Sequence, residues 1–126
     1  MQHLLIVAHG SRRHASNQEI RYLAEKLNKN NRTFASISCA FLELATPSIP
    51  DGLLELIEQG AAEIIVMPYF LSAGRHVSED IPAAISSVLA QKPNIKIQMA
   101  DYLGASPRIG ELLLEQALSF SLASQQ

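Results

Sequence analysis

The sequence predicts an α/β protein: a four-stranded parallel sheet of strand order 2-1-3-4, enclosed as a three-layer sandwich by helices on both faces. Three observations predict it. Four short apolar runs alternate with four stretches of helical period. The third run, "EIIVMPYFL", is apolar with little alternation, as a strand covered on both faces is. Each run is followed by a helical stretch, the pattern of right-handed βαβ crossovers, and a shortened flavodoxin-like winding accommodates four such strands.

The first strand is "HLLIVA", followed by "SNQEIRYLAEKLNKN". Ser16 and Glu19 have capping-box spacing, and Ile20, Leu23, Ala24 and Leu27 line one helical face. The second strand, "TFASISCAFLEL", ends near Glu43 and gives way to "TPSIPDGLLELIEQG". There Thr46 is the expected N-cap, Pro47 the first helical residue and Gly60 the stop. The third strand is "EIIVMPYFL", and its helix is expected from about Ser78, with Ile81, Ala84, Ile85, Val88 and Leu89 on one side. The fourth is "IKIQMA". Ser106-Pro107 then opens a last helix bearing Ile109, Leu112, Leu113, Ala117 and Phe120.

With 126 residues, no linker-like segment and no internal repeat, the chain reads as one domain, 1–126. That length buries enough surface to fold without disulfide or structural metal. A formal net charge of −2 argues against a nucleic-acid partner. The single cysteine, Cys39, lies in an apolar stretch and reads as a small core residue of a reducing compartment. Leu4 to Ala8 is too short for a signal peptide or a membrane span, so the expectation is a cytoplasmic protein with no membrane partner.

The strand order locates a ligand site. In open parallel sheets ligands bind at the carboxyl ends of the strands where the winding reverses, here between strands 1 and 3. Strand 1 runs out into "HGSRRH" and strand 3 into "SAGRHVSED". His9 and His76 therefore face each other across that crevice, and strand 2 delivers Glu43 to the same edge. Two imidazoles and a carboxylate suit a first-row divalent metal, and they also suit proton acceptance. Arg12, Arg13 and Arg75 add local positive charge for an anionic ligand, with Ser11 and Gly74 beside them. His3 lies at the opposite end of the sheet and reads as structural, and His14 as a solvated side chain.

Other chemistries lack their signatures. No G-x-x-x-x-G-K-[ST], no G-x-G-x-x-G after strand 1, no G-x-S-x-G and no closely spaced Cys/His set occurs. A phosphate-ligand module of flavodoxin type is correspondingly disfavoured.

Taken together, "HGSR", "FLELATPSIPDGL" and "PYFLSAGRHVSEDIP" resemble the small CbiX-type sirohydrochlorin chelatases over nearly the whole chain. The resemblance implies a chelatase-like fold and insertion of Co²⁺, Ni²⁺ or Fe²⁺ into sirohydrochlorin, with the ion as substrate and no tightly bound cofactor. It places the two metal-handling histidines at His9 and His76 and a carboxylate at Glu43. It also implies a homodimer holding the carboxylate-rich tetrapyrrole between subunits. Leu44, Tyr69, Phe70 and Leu71 are candidates for a wall against the flat ring, although core packing accounts for most of them. A non-catalytic metal or tetrapyrrole carrier of the same fold is the alternative.

Overall fold

The computed structural model describes the backbone of residues 1–124 and the side chains of residues 1–121. The strands are β1 (Gln2–Ala8), β2 (Ile37–Phe41), β3 (Glu63–Pro68) and β4 (Lys96–Met99), in sheet order β2-β1-β3-β4 with every pair parallel. The helices are α1 (His14–Asn30), α2 (Ile49–Glu58), α3 (Ile81–Gln91) and α4 (Ile109–Ser124). One π-helical turn, His76–Asp80, runs directly into α3, and a 3₁₀ turn, Leu103–Ala105, precedes α4. The order 2-1-3-4 read from the alternating pattern is the order observed.

The register decides which side chains share a face. Leu5 lies opposite Ser38 and Val66, and Val7 opposite Ala40 and Pro68. Leu5, Val7, Ala40, Ile64 and Val66 therefore form one apolar face, which packs against Leu53 and Leu56 of α2 and Ile81, Ile85 and Val88 of α3. Residues one step out of phase point to the other face. There Ile6 and Ile37, with Leu4 and Cys39 beside them, meet Ala24 of α1. Burial pushes the Cys39 thiol up, outweighing the opposing pull of Arg21, and nearby Glu25 pushes the same way. A thiol held protonated is a poor nucleophile.

Several local expectations need correction. Helix α1 begins three residues earlier than the capping box implied: Ser16 is inside it, and Arg13 occupies the N-cap without a side-chain cap. The N-cap of α2 is Ser48, whose Oγ accepts from the Asp51 amide at 3.2 Å, not Thr46. Pro47 precedes the helix and follows a cis Thr46–Pro47 bond, while Pro50 sits in the first turn. Strand β2 stops at Phe41, so Glu43 lies beyond it. Burial along β3 alternates, because only α1 covers the second face and leaves Ile65 and Met67 half-buried. The largest departure is α4. It contacts the rest of the chain chiefly through the 3₁₀ turn before it, and Leu112 and Phe120 remain 54% and 79% exposed. Among the described residues no helix is long and apolar enough to cross a membrane.

Leu53 is fully buried between the sheet and α3. Leu53→Ala is therefore expected to lower unfolding free energy by about 2–5 kcal/mol in urea titrations, whereas Tyr22→Ala, at an exposed position, stays within about 0.5 kcal/mol.

Candidate functional site

The carboxyl ends of β1 and β2 are stitched together past the last ladder pair. The Leu42 amide donates to the Ala8 carbonyl at 3.0 Å and the Glu43 amide to the His9 carbonyl at 3.1 Å. Gly10 then turns the chain at φ +91, pressed so closely on the Glu43 carbonyl that a Cβ there would collide with it. Only glycine meets both demands. On the facing segment Leu44 is held at φ 64, in the left-handed region, with its side chain more than half exposed. Strain of this kind in a non-glycine residue collects at functional sites.

A second tie fixes the β1–α1 loop. Asn17, buried in the first turns of α1, accepts from the Ser11 amide at 2.9 Å through Oδ1 and donates to the Ser11 carbonyl at 2.8 Å through Nδ2. Both backbone groups of Ser11 are thus satisfied by one side chain. The Ser11 hydroxyl in turn accepts from the Arg13 amide at 3.0 Å.

His9 and His76 come together as the strand order requires. Their ring centroids lie 4.7 Å apart with planes at 75°, an edge-to-face pair. Each is tethered at Nδ1. His9 donates to the Gly10 carbonyl at 2.9 Å, and His76 donates to Asp80 Oδ2 at 2.7 Å. In the neutral imidazole a proton at Nδ1 leaves a lone pair at Nε2. The His9 Nε2 faces Glu43 Oε1 at 3.5 Å. Two acceptors in that position attract a cation, and either a proton or a metal ion satisfies both. The π-helical turn sets the second tether, bringing Asp80 back under His76. Such turns recur at functional sites. A cavity of about 210 Å³ opens here, lined by Glu43, His76 and Asp80 together with apolar Leu42, Ile49 and Ala84. Among the described residues, no three His, Cys, Asp or Glu side chains are already gathered as a metal cage.

The remaining expectations divide. Arg12 and Arg13 are exposed on the β1–α1 loop. Arg75 is exposed at the same edge and pairs with Glu79 at 3.5 Å. Glu79 and Asp80, at the start of the segment leading into α3, partner Arg75 and His76. Gly74 has neither a positive φ nor a close neighbour, so no tight turn demands it. Ser78 does not start the helix; its hydroxyl donates to the Gly74 carbonyl at 3.0 Å. Leu44, Tyr69 and Leu71 are exposed around the edge, and only Phe70 packs on the core. His3 bonds Ser36 Oγ at 2.8 Å at the far end of the sheet, and His14 is exposed. Reasoning from sequence missed Asn17 and the orienting part of Asp80. Both left signals: Asn17 is a polar residue in phase with Ala24 on the apolar face of α1, and His76 and Asp80 are four residues apart.

A model of the CbiX family matches residues 3–119. The chain is 34% identical over 117 residues to a sirohydrochlorin ferrochelatase of Priestia megaterium, covering 92% of this chain and 43% of that protein. It is 39% identical over 88 residues to a sirohydrochlorin cobaltochelatase of Methanocaldococcus jannaschii, covering 70% and 61%. The chain thus spans less than two thirds of either relative. Among solved structures it is similar to a cobalamin-biosynthesis CbiX protein from Marinobacter aquaeolei, with TM-score 0.81, 29% identity, and 98% and 99% of the two chains covered. It is also similar to the sirohydrochlorin chelatase SirB from Bacillus subtilis in complex with cobalt, with TM-score 0.84, 29% identity, and 94% and 50% covered.

The two loop glycines should separate cleanly. Gly10→Ala is expected to cost at least about 1–3 kcal/mol of stability in denaturant titrations, and Gly74→Ala to leave stability unchanged or raise it by up to about 1 kcal/mol. Equal costs would mean that the contact between Gly10 and the Glu43 carbonyl does not hold the site.

Proposed function

Because the chain belongs to the CbiX family, we propose that it is a sirohydrochlorin metallochelatase, inserting a divalent ion into sirohydrochlorin in the cytoplasm. The observation that carries this reading is the edge-to-face pair of imidazoles, each tethered at Nδ1, with Glu43 beside one of them. The ion is a substrate, so the protein must hold it and then release it. Two neutral nitrogens and one exposed carboxylate bind a first-row ion without enclosing it.

Insertion exchanges one divalent ion for two pyrrole N–H protons. In this reading the Nε2 atoms of His9 and His76 hold the ion while it loses water. Glu43, released from its cationic partner as the ion moves into the ring, accepts one proton, and an imidazole freed by the transfer accepts the other. Asp80 holds the His76 ring in position through its bond to Nδ1. Arg12, Arg13 and Arg75 take the carboxylates of the macrocycle, with Ser11 and Gly74 lining the same edge. Arg75 gives up only an exposed pair with Glu79, which is worth little. Leu44, Tyr69 and Leu71 supply an apolar wall for the ring.

A cavity of about 210 Å³ is smaller than sites that enclose ligands far smaller than a tetrapyrrole. Two copies pairing across the site would supply the missing wall, which the longer relatives have chain enough to provide themselves. The relatives are named for iron and for cobalt, and imidazole binds Co²⁺, Ni²⁺ and Fe²⁺ alike. The product accordingly serves cobalamin- or sirohaem-type tetrapyrrole synthesis.

Purified protein at limiting concentration, given sirohydrochlorin and Co²⁺, Ni²⁺ or Fe²⁺, is expected to accelerate the absorbance change of insertion over many turnovers. One stoichiometric event without turnover would favour a carrier, and no effect with any of the three ions would remove the proposal. His76→Ala should lower the rate by about 10²–10⁴-fold, Asp80→Asn by about 10–100-fold, and His3→Ala by less than about threefold.

A further inference from the structure

Arg21 stands apart from the arginines at the edge of the site. Among the described residues it is the only lysine or arginine that is not exposed, and none of their ion pairs includes it. A half-buried cation without a carboxylate is costly unless hydrogen bonds compensate. Its Nη1 donates to Gln18 Oε1 at 2.6 Å, nearly one turn earlier in α1, and its Nη2 donates to the Thr46 carbonyl at 2.9 Å. The guanidinium also lies over the Phe41 ring, 5.2 Å from its centroid. Phe41 is fully buried, so the group that Arg21 rests on is fixed.

Phe41 and Thr46 bracket the segment that carries Glu43 and Leu44. At its neck the Phe41 amide donates to the Pro47 carbonyl at 2.9 Å, and Phe41 and Ser48 form an isolated bridge. The Leu42 and Glu43 amides are bonded to Ala8 and His9, which fixes the outgoing limb. Arg21 fixes the returning limb through Thr46, with a charge-assisted bond stronger than a neutral one. Two features depend on that tie. Leu44, at φ 64, keeps a strained conformation only where the surrounding chain over-determines it. The Glu43 side chain is 55% exposed and faces His9 Nε2 at 3.5 Å, so the course of the backbone rather than packing sets where its carboxylate stands. Asn17 and Arg21 are four residues apart and share one side of α1. The first holds the β1–α1 loop and the second the β2–α2 loop.

We propose that Arg21 is a positioning residue for the ion. By fixing the Glu43 segment between α1 and the Phe41 ring, it keeps the Glu43 carboxylate where it and His9 take one cation together. Arg21 acts only through Glu43. This rests on the metal-holding roles given above to His9 and Glu43. Lysine is no substitute, since a point charge cannot bond Gln18 and Thr46 while lying flat on an aromatic ring.

Co²⁺ titrations of the metal-free protein, read by the visible absorption of the bound ion, test this without requiring turnover. Glu43→Gln is expected to weaken Co²⁺ binding by about 10-fold or more, and Arg21→Ala by about 10-fold, as loss of an outer support does. The double variant should bind within about twofold of Glu43→Gln alone, because Arg21 then has nothing left to position. Arg21→Lys keeps the charge and the apolar stem, should lose about threefold or more, and carries the same cycle if Arg21→Ala does not fold. Losses that multiply in the double variant overturn the positioning role. So does an Arg21 variant that melts at lower temperature yet binds Co²⁺ normally, a Glu43→Gln protein that binds normally, or an unmodified protein that binds no Co²⁺. Turnover is read separately. The expected coupling without insertion into sirohydrochlorin keeps the role of Arg21 and removes the chelatase reading, whereas insertion with multiplying losses does the reverse.

Discussion

The site depends on how two imidazoles are held rather than on how many ligands are present. His9 and His76 meet edge to face, and each gives its Nδ1 proton to a fixed acceptor, a backbone carbonyl in one case and Asp80 in the other. Both lone pairs are thereby confined to Nε2. Everything upstream in the fold serves that placement. The parallel order β2-β1-β3-β4 puts the ends of β1 and β3 side by side, the Gly10 contact with the Glu43 carbonyl sets where β1 ends, and the π-helical turn sets where α3 begins. A rigid support with exposed, uncommitted Nε2 atoms suits the proposed release of an ion as well as its capture.

Rigidity and openness come from different parts of the molecule. The face of the sheet under α2 and α3 carries nearly all of the fully buried side chains. The α1 face is thinner: Ile6, Ala24 and Ile37 form its buried apolar cluster, with Ala8 and Phe41 buried at the carboxyl end of β1 and β2. The thick side anchors the histidine-bearing loops, since α3 continues directly from the turn that carries His76. Helix α4 adds little to either side, since it touches the rest of the chain chiefly through the 3₁₀ turn before it.

Much of this was legible in the sequence, and the reasons for the failures are physical. Period and alternation determined strand count, order and the convergence of His9, Glu43 and His76, because these depend on topology. Helix starts were misread where a side-chain signal competed with tertiary ties: Ser16 and Thr46 resemble caps, but Asn17 and Ser48 make the bonds. The role of Asp80 stayed hidden because local rules cannot see that a π-helical turn aims it at a histidine. Helix α4 carries the apolar residues that its sequence shows, yet Leu112, Leu113 and Phe120 stay exposed in the single chain.

Nitrogen-15 chemical shifts of the two imidazoles measure the central claim directly. In the metal-free protein at pH above the histidine titration range, His9 and His76 should both show a protonated Nδ1 and an unprotonated Nε2. Adding diamagnetic Zn²⁺ should shift both Nε2 resonances together, with one saturation point. A shift confined to one ring, or one that appears at Nδ1, would show that the pair does not share an ion and would contradict the account.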